Sequence, residues 1–123
     1  MRRTEIRVER LDAFFERGRR LAKLADQGGR IPSSRVVGFE DVQSLLQVLT
    51  EKRVLLLQQV QEAPASISGL AKKLKRDRSA VTRDVQLLER AGVVHVTEKS
   101  LPGHGKQKWV TPLAREIRLT ATL

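Results

Sequence analysis

The first thirty residues carry apolar positions four and three residues apart, the spacing of a helix with one apolar side. No proline interrupts them, and Gly28-Gly29 is suited to end a helix, so the pattern predicts one long helix from Thr4 to about Gln27. Its seam consists of Val8, Leu11, Phe15, Gly18, Ala22 and Ala25, widened by Phe14, Leu21 and Leu24. A helix with this much apolar surface must pack on something, either its own domain or a second copy in a homodimer.

The next segment, RIPSSRVVGFE, contains Pro32, two serines and Gly38, and it predicts a loop or a short extended linker. Beyond it, apolar residues at helical spacing predict a short helix that ends near Thr50 and a second helix over EKRVLLLQQVQEA. Thr50 is placed to cap the second helix, which Ala63-Pro64 ends.

Two closely spaced helices follow. Ser66 is placed to cap ISGLAKKLK, and Asp77 is placed to cap a longer helix that ends at Gly92. Because only two or three residues separate these helices, they must cross sharply. Two β-prone runs, VVHVTEK and QKWVTP, flank SLPGHG and predict a hairpin with a long tip. The tail, LAREIRLTATL, is interpreted as one last short helix.

This order of elements is that of a winged helix-turn-helix, in which the second helix of the tight pair enters the DNA major groove. We therefore expect a mainly α fold with a small β-hairpin. A winged helix-turn-helix domain is predicted over residues 39–123, preceded by an N-terminal helical arm and linker over residues 1–38. We call the helix over about residues 77–91 the reading helix, and the hairpin tip over about residues 99–108 the wing.

The charge balance points to a polyanionic partner, because 24 Lys and Arg outnumber 14 Asp and Glu and give a formal net charge of +10. Cysteine is absent, which excludes disulfides, thiolate metal sites and cysteine nucleophiles. The chain offers no catalytic Ser-His-Asp order, phosphate-binding glycine loop or metal cluster, so we expect neither an enzyme nor a cofactor. It carries no secretory signal or membrane-spanning run, which favours a cytoplasmic protein without membrane partners, nucleoid-associated when bound to DNA.

One side of the reading helix carries no carboxylate, whereas an ordinary solvated face mixes both signs of charge. Val81, Val85 and Leu88 stack on the inner side, and we expect Asp84 and Glu89 to project toward the flanks. Arginine can pair with guanine, glutamine with adenine, and hydroxyls can bond to phosphates. The residues expected to read bases are Ser79, Thr82, Arg83 and Gln86.

Positive side chains surround this helix. At the phosphate backbone we expect Lys72, Lys73, Lys75, Arg76, Arg78 and Arg90. The wing offers Lys99, His104, Lys106 and Lys108 to an adjacent minor groove or backbone. No metal site is expected at His104, because His95 is the only other histidine. Trp109 is interpreted as a packing residue, and the scarcity of aromatics disfavours single-stranded RNA.

The segment SISGLAKKLKRDRSAVTRDVQLLERAGVV resembles a broad family of small winged-helix predicted transcriptional regulators of archaea and bacteria. The positions that fit are Ser66, Leu70, Ala71, Leu74, Arg76, Asp77, Val81, Arg83, Asp84, Val85, Leu88 and Gly92. The resemblance covers residues 39–96, and the same scaffold occurs in regulators of the multiple-antibiotic-resistance type. It implies DNA binding. The wing is longer and more basic than the family's turn, and the arm lies outside the match.

Together these features predict a sequence-specific regulator of double-stranded DNA, a repressor or autoregulator, that forms a homodimer. The alternative is the antitoxin of a toxin–antitoxin pair, whose arm holds the toxin while the rest of the chain represses the operon. In either case, the residues expected at the dimer or partner interface are Val8, Leu11, Phe14, Phe15, Leu21 and Leu24.

Overall fold

The computed structural model describes residues 3–30, 35–103 and 105–121 of the chain. Its described residues form five helices and six strands. In chain order these are β1 (Arg3–Val8), α1 (Leu11–Asp26), β2 (Arg35–Phe39), α2 (Val42–Val48), α3 (Glu51–Glu62), β3 (Ala65–Ser66), α4 (Ile67–Leu74), α5 (Arg78–Arg90), β4 (Val94–Leu101), β5 (Gly105–Pro112) and β6 (Glu116–Thr120).

The predicted helices of the body are present, and local capping explains where two of them begin. The Thr50 hydroxyl accepts a hydrogen bond of 3.4 Å from the Arg53 amide at the start of α3. The Ser66 hydroxyl accepts one of 3.0 Å from the Gly69 amide at the start of α4. Helix α5, which is the reading helix, ends before Gly92. This residue has a φ of +83°, a conformation that favours glycine.

The predicted hairpin is formed by β4 and β5, which pair antiparallel from Val94 opposite Pro112 to Leu101 opposite Gly105. The two-residue strand β3 adds to the other side of β5, so this sheet has the order β3-β5-β4. Helices α3, α4 and α5 with this sheet make up a winged helix-turn-helix. Their apolar sides meet in one core, where Leu56, Leu70 and Leu88 are fully buried.

A second sheet, with the order β2-β1-β6, corrects three predictions. Residues 3–8 are a strand rather than the start of the long helix, the second half of the linker is strand β2, and the tail is strand β6 rather than a helix. All pairs in this sheet are parallel. The physical reason is the alternation of Thr4, Ile6 and Val8 with charged residues, which suits a strand with one buried face.

The inner face of this second sheet joins the core of the winged helix. Ile6 is 1% exposed within the same apolar cluster as the body helices, and Val37 and Ile117 pack beside it. Arg35 reaches the far end of α5, where its guanidinium lies 3.4 Å from the position that a Cβ on Gly92 would take. The proposed boundary at residue 38 therefore separates segments that share a core, and as a division into folding units it stays a prediction.

The outer face of the second sheet is charged, and α1 crosses it without becoming buried. Glu5 and Arg7 point to this face, and the hydrogen bond from Arg7 lowers the pKa of the Glu5 carboxyl. Phe14 lies over Gly38, and Arg17 pairs with Glu9, but no residue of α1 is buried. A charged sheet offers an apolar helix little to pack against. Neither α1 nor another helix of the described residues is long and apolar enough to cross a bilayer.

The shared core generates a test of strand β1. Replacing Ile6 with Ala should lower the free energy of unfolding of the whole chain by about 3 kcal/mol, because it opens a cavity beneath the body helices. The matched control is Val36→Ala on the outer face of the neighbouring strand, with an expected cost below about 1 kcal/mol. Urea unfolding followed by far-ultraviolet circular dichroism measures both. Equal, small costs would mean that β1 is not part of the core.

Candidate nucleic-acid interface

The turn between α4 and α5 is short because Lys75 adopts a left-handed conformation, with φ +54° and ψ +50°. The Arg76 amide donates to the Ala71 carbonyl at 2.9 Å, and the Lys75 amide donates to the Lys72 carbonyl at 3.2 Å. Among the described residues, Lys75 is the one non-glycine residue with positive φ. Glycine is the residue that adopts this conformation without strain, so the lysine stands here at an energetic cost.

Helix α5 has two distinct sides. Val81, Val85 and Leu88 are at most 1% exposed and fix the helix in the core. The other side presents Ser79, Arg83, Gln86 and Arg90, all exposed and spaced four, three and four residues apart. Thr82 is half-buried, and its hydroxyl donates to the Arg78 carbonyl at 2.8 Å. Its oxygen lone pairs and methyl group remain for contact with a partner.

The carboxylates of this helix are turned away from the exposed side. The Glu89 carboxylate accepts a hydrogen bond of 3.0 Å from the Val96 amide of strand β4, at the base of the hairpin. Asp84 is 8% exposed, so it lies inside the protein rather than at the flank where the sequence placed it. Asp77 occupies the N-cap position, but its side chain makes no capping hydrogen bond, which corrects the predicted cap.

Asp84 is shared by two arginines. Its Oδ1 accepts from the Arg53 Nε at 3.0 Å, and its Oδ2 accepts from the Arg76 Nη2 at 2.7 Å. Arg53 also donates through Nη1 to the carbonyls of Gln47 and Val48, at the end of α2. One carboxylate thereby joins α2, α3, the turn and α5. Its role could not be read from the sequence, because Arg53 lies 31 residues before Asp84.

The basic residues predicted at the phosphate backbone separate into two groups. Arg76, with a side chain 17% exposed, is held by Asp84. The others are exposed, and within residues 3–30, 35–103 and 105–121 they take part in no ion pair. These five are Lys72, Lys73, Lys75, Arg78 and Arg90.

The turn also borders an open concavity of about 450 Å³. Its lining residues are Ser68, Ala71, Lys72, Lys75, Arg76, Asp77 and Arg78. Four of these are cationic and one is anionic, so the concavity favours an anion such as a phosphate group.

The basic residues of the wing lie on both faces of the hairpin. Lys106 and Lys108 alternate with Gln107 and share a face, whereas Lys99 lies opposite Gln107 on the other face. The Lys99 ammonium is 4.2 Å from the centre of the Trp109 ring, a cation–π contact. Trp109 is half-buried in the hairpin. His104 lies outside the described residues, so its predicted place in the wing has no counterpart here.

The residues predicted at a dimer or partner interface are mostly exposed on α1. Leu11 is 57% exposed, Phe15 52%, Phe14 41% and Leu24 36%, while Leu21 is half-buried. The prediction that Val8 lies at this interface is wrong. Val8 ends strand β1 and packs against the core, because residues 3–8 are not helical.

Comparison with known proteins places the chain in a family. A family model described as HVO_A0114 matches residues 48–115, which is more than half of the 123 residues. The chain belongs to the HVO_A0114 family. The match runs from the end of α2 past β5. The HVO_A0114 pattern thus spans the helix-turn-helix and the hairpin, while the arm and strand β6 lie beyond it. No curated protein matches the chain.

Solved structures resemble this HVO_A0114 member in fold. A possible transcriptional regulator from Methanosarcina mazei Go1 is 20% identical, with 63% of this chain and 68% of that chain covered at a TM-score of 0.50. Reduced HlyU from Vibrio cholerae N16961 is 22% identical over 55% and 67% of the two chains, with a TM-score of 0.47.

A third structure is the homodimeric winged helix-turn-helix DNA-binding domain Mb0332 from Mycobacterium bovis, described as a possible ArsR-family regulator. It is 16% identical to the HVO_A0114 chain over 76% and 69% of the two chains, with a TM-score of 0.48. At these identities the likenesses concern the fold alone. With the element order above, the Methanosarcina mazei structure confirms the resemblance to winged-helix regulators at the level of the fold.

The shared carboxylate generates a stability prediction. Asp84→Ala should lower the free energy of unfolding by about 3 kcal/mol, because Arg53 and Arg76, 20% and 17% exposed, would face each other without a counter-charge. The control on the same helix is Asp77→Ala, which removes a carboxylate that makes no capping bond and should cost less than about 1 kcal/mol. Thermal and urea unfolding measure both variants. If Asp84→Ala were as stable as the control, the three-residue cluster would have no structural role.

Proposed function

We propose that the chain is a sequence-specific regulator of double-stranded DNA, a repressor or autoregulator, with α5 in the major groove. The observation that carries this proposal is the exposed side of α5, the second helix of a tight helix-turn-helix. This side presents Ser79, Arg83 and Gln86 without a carboxylate. One structure of similar fold supports the proposal, since the Methanosarcina mazei protein is described as a possible transcriptional regulator.

Base reading and backbone binding fall to different residues in this proposal. Arg83 and Gln86 project from the exposed side with no partner among the described residues, so they are available for paired hydrogen bonds to guanine and adenine. Ser79 and Thr82 lie nearer the start of the helix and complete the reading surface. Lys72, Lys73, Lys75, Arg78 and Arg90 supply contacts to phosphates, which position the helix without reading sequence.

Arg76 takes a different role from the one that its sequence position suggested. Because its guanidinium donates to Asp84 and its side chain is only 17% exposed, we assign it to holding the turn rather than to binding phosphate. In the wing, Lys106 and Lys108 share the face that would meet an adjacent backbone or minor groove, and Lys99 is held by the Trp109 ring.

The regulator is proposed to act as a homodimer on a palindromic site, since a two-fold pair of winged helices presents two reading helices to successive major grooves. Selection of bound fragments from random duplex DNA tests this directly. The expected product is an inverted repeat with half-sites about 10 base pairs apart or a multiple of that. Recovery of fragments without a shared sequence would contradict sequence-specific binding.

An antitoxin is the second candidate, and the exposed apolar side of α1 is the observation that favours it. In that case the arm would hold a toxin, and α5 would serve autoregulation of the operon. Purification from the native host separates the two functions. A stoichiometric second protein supports the antitoxin, and a homodimer alone supports the plain regulator.

The division between reading and backbone contacts yields a matched pair of variants. Arg83→Ala should weaken binding to the selected site by about 1 to 3 kcal/mol and relax base preference at one position. Lys73→Ala should weaken binding to all duplexes alike and reduce the slope of log affinity against log salt by about 1. Fluorescence-anisotropy titrations with specific and scrambled duplexes at several salt concentrations distinguish these effects. An Arg83→Ala variant with unchanged site affinity would disprove the placement of α5.

Lys75, the left-handed residue of the turn, yields a prediction in which stability and DNA affinity change in opposite directions. Lys75→Gly should raise the free energy of unfolding by about 1 kcal/mol, because glycine adopts this conformation without strain. The same change should weaken DNA binding, since it removes one phosphate contact. Lys72→Ala is the control. It also removes one phosphate contact, but it leaves the turn unaltered and should therefore leave the free energy of unfolding nearly unchanged. If Lys75→Gly bound DNA as tightly as the unmodified chain, Lys75 would have no part in the interface.

A further inference from the structure

Helix α1 carries an apolar face that the fold leaves uncovered. Leu11, Phe15, Gly18, Ala22 and Ala25 fall within an arc of about 80° and are all exposed. Phe14 and Arg17, on one side of this arc, meet the sheet through Gly38 and Glu9. Within the part of the chain that the structure describes, the face itself meets nothing comparable. Outside the backbone of α1, no heavy atom lies within 4 Å of the position that a Cβ on Gly18 would take. We call these five residues the α1 face.

Large and small residues divide the α1 face into two halves about Gly18. The large side chains, Leu11 and Phe15, precede Gly18, and the small ones, Ala22 and Ala25, follow it. A second α1 laid antiparallel across Gly18 would place the large half of each helix on the small half of the other. A parallel pair would instead set Phe15 against Phe15 and leave a gap between the alanines. Packing therefore favours the antiparallel arrangement.

The charges beside the α1 face have the same symmetry. On the flank away from the sheet, Asp12 and Glu16 lie in the first half of the helix. The second half carries Arg19, Lys23 and the last residue Asp26, and so has a net positive charge. In an antiparallel pair the same flank of each helix meets, with its direction reversed. Each acidic half then faces a basic half. In a parallel pair, this flank would instead face the opposite flank of the partner helix, and the acidic and basic halves would not be matched.

The net charge also indicates what kind of occupant the α1 face takes. Helix α1 has four cationic residues and three acidic ones, an excess of one, whereas the chain as a whole carries +10. The repulsion between two α1 helices is therefore small compared with that expected from the charge of the whole chain. A nucleic acid would gain little from so balanced a surface.

We propose that two copies of the chain pair through their α1 helices, antiparallel, with the two-fold axis at Gly18. This inference deepens the proposed homodimeric regulator by naming its interface. The face of about 21 Å from Leu11 to Ala25 is short, so every contact along it counts. The same axis relates the two reading helices, as a palindromic site requires.

The first test enlarges the crossing point. Gly18→Leu introduces a good helix former into open space, so the single chain should keep its fold, while two helices can no longer approach closely. We expect the dissociation constant of the dimer to rise at least tenfold in sedimentation equilibrium without DNA. The control is Ala13→Leu, an enlargement smaller by one carbon on the opposite side of α1, with an unchanged dissociation constant. A Gly18→Leu variant that dimerises like the control overturns the proposal.

The second test determines the direction of the pair, using the absence of cysteine from the chain. In an antiparallel pair, Leu11→Cys on one copy lies beside Ala25→Cys on the other, whereas two Leu11→Cys copies lie about 21 Å apart. An oxidised mixture of the two variants should form the mixed disulfide dimer. Self-linking of Leu11→Cys alone would show a parallel pair and overturn the proposal, as would a chain that stays monomeric.

The DNA-binding assays and the association assays can contradict the proposed function and the proposed interface separately. A chain that pairs through α1 without binding duplex DNA would contradict the proposed function and leave this interface standing. A chain that binds its selected site while Gly18→Leu changes neither association nor cross-linking would contradict the interface alone. The α1 face would then be expected to bind a different protein.

Discussion

The arrangement of the helix-turn-helix depends on one carboxylate that pairs with two arginines. Asp84 points inward from the reading helix and receives Arg76 from the turn and Arg53 from α3, whose guanidinium also holds the end of α2. Hydrophobic packing is not directional, so Val81, Val85 and Leu88 alone would allow α5 to rotate or slide. The charged hydrogen bonds have a fixed geometry. They fix the position of α5 relative to α2, α3 and the turn, and thereby how its exposed side, the proposed DNA surface, is presented.

Local features made much of the body predictable. The caps at Thr50 and Ser66, the close spacing of α4 and α5, and the glycine that ends α5 are encoded within a few residues of where they act. The exposed side of α5 followed from its helical period alone. Asp84 was misplaced for the opposite reason, because an inward-facing carboxylate becomes intelligible only with an arginine from a distant helix.

The arm was predicted poorly because its structure depends on partners far along the chain. Strand β1 is completed by β6, more than a hundred residues later, and neither short segment can be recognised as a strand without its partner. Val8 also fits the spacing of a helical seam that continues into the true helix at Leu11, so periodicity favoured one long helix. The sheet also explains what the sequence left open about α1. Its outer face is charged, so the helix does not bury its apolar side within its own chain.

The pairing of the first strand with the last has a consequence for biosynthesis. Arg3 lies opposite Glu116, so β1 leaves the ribosome long before the neighbour that completes its sheet. The winged-helix core between them consists of contacts much closer in sequence and can form while synthesis continues. During that interval Ile6 has only part of its final surroundings. The sheet of the nascent arm is thus completed only after strand β6 has been synthesised.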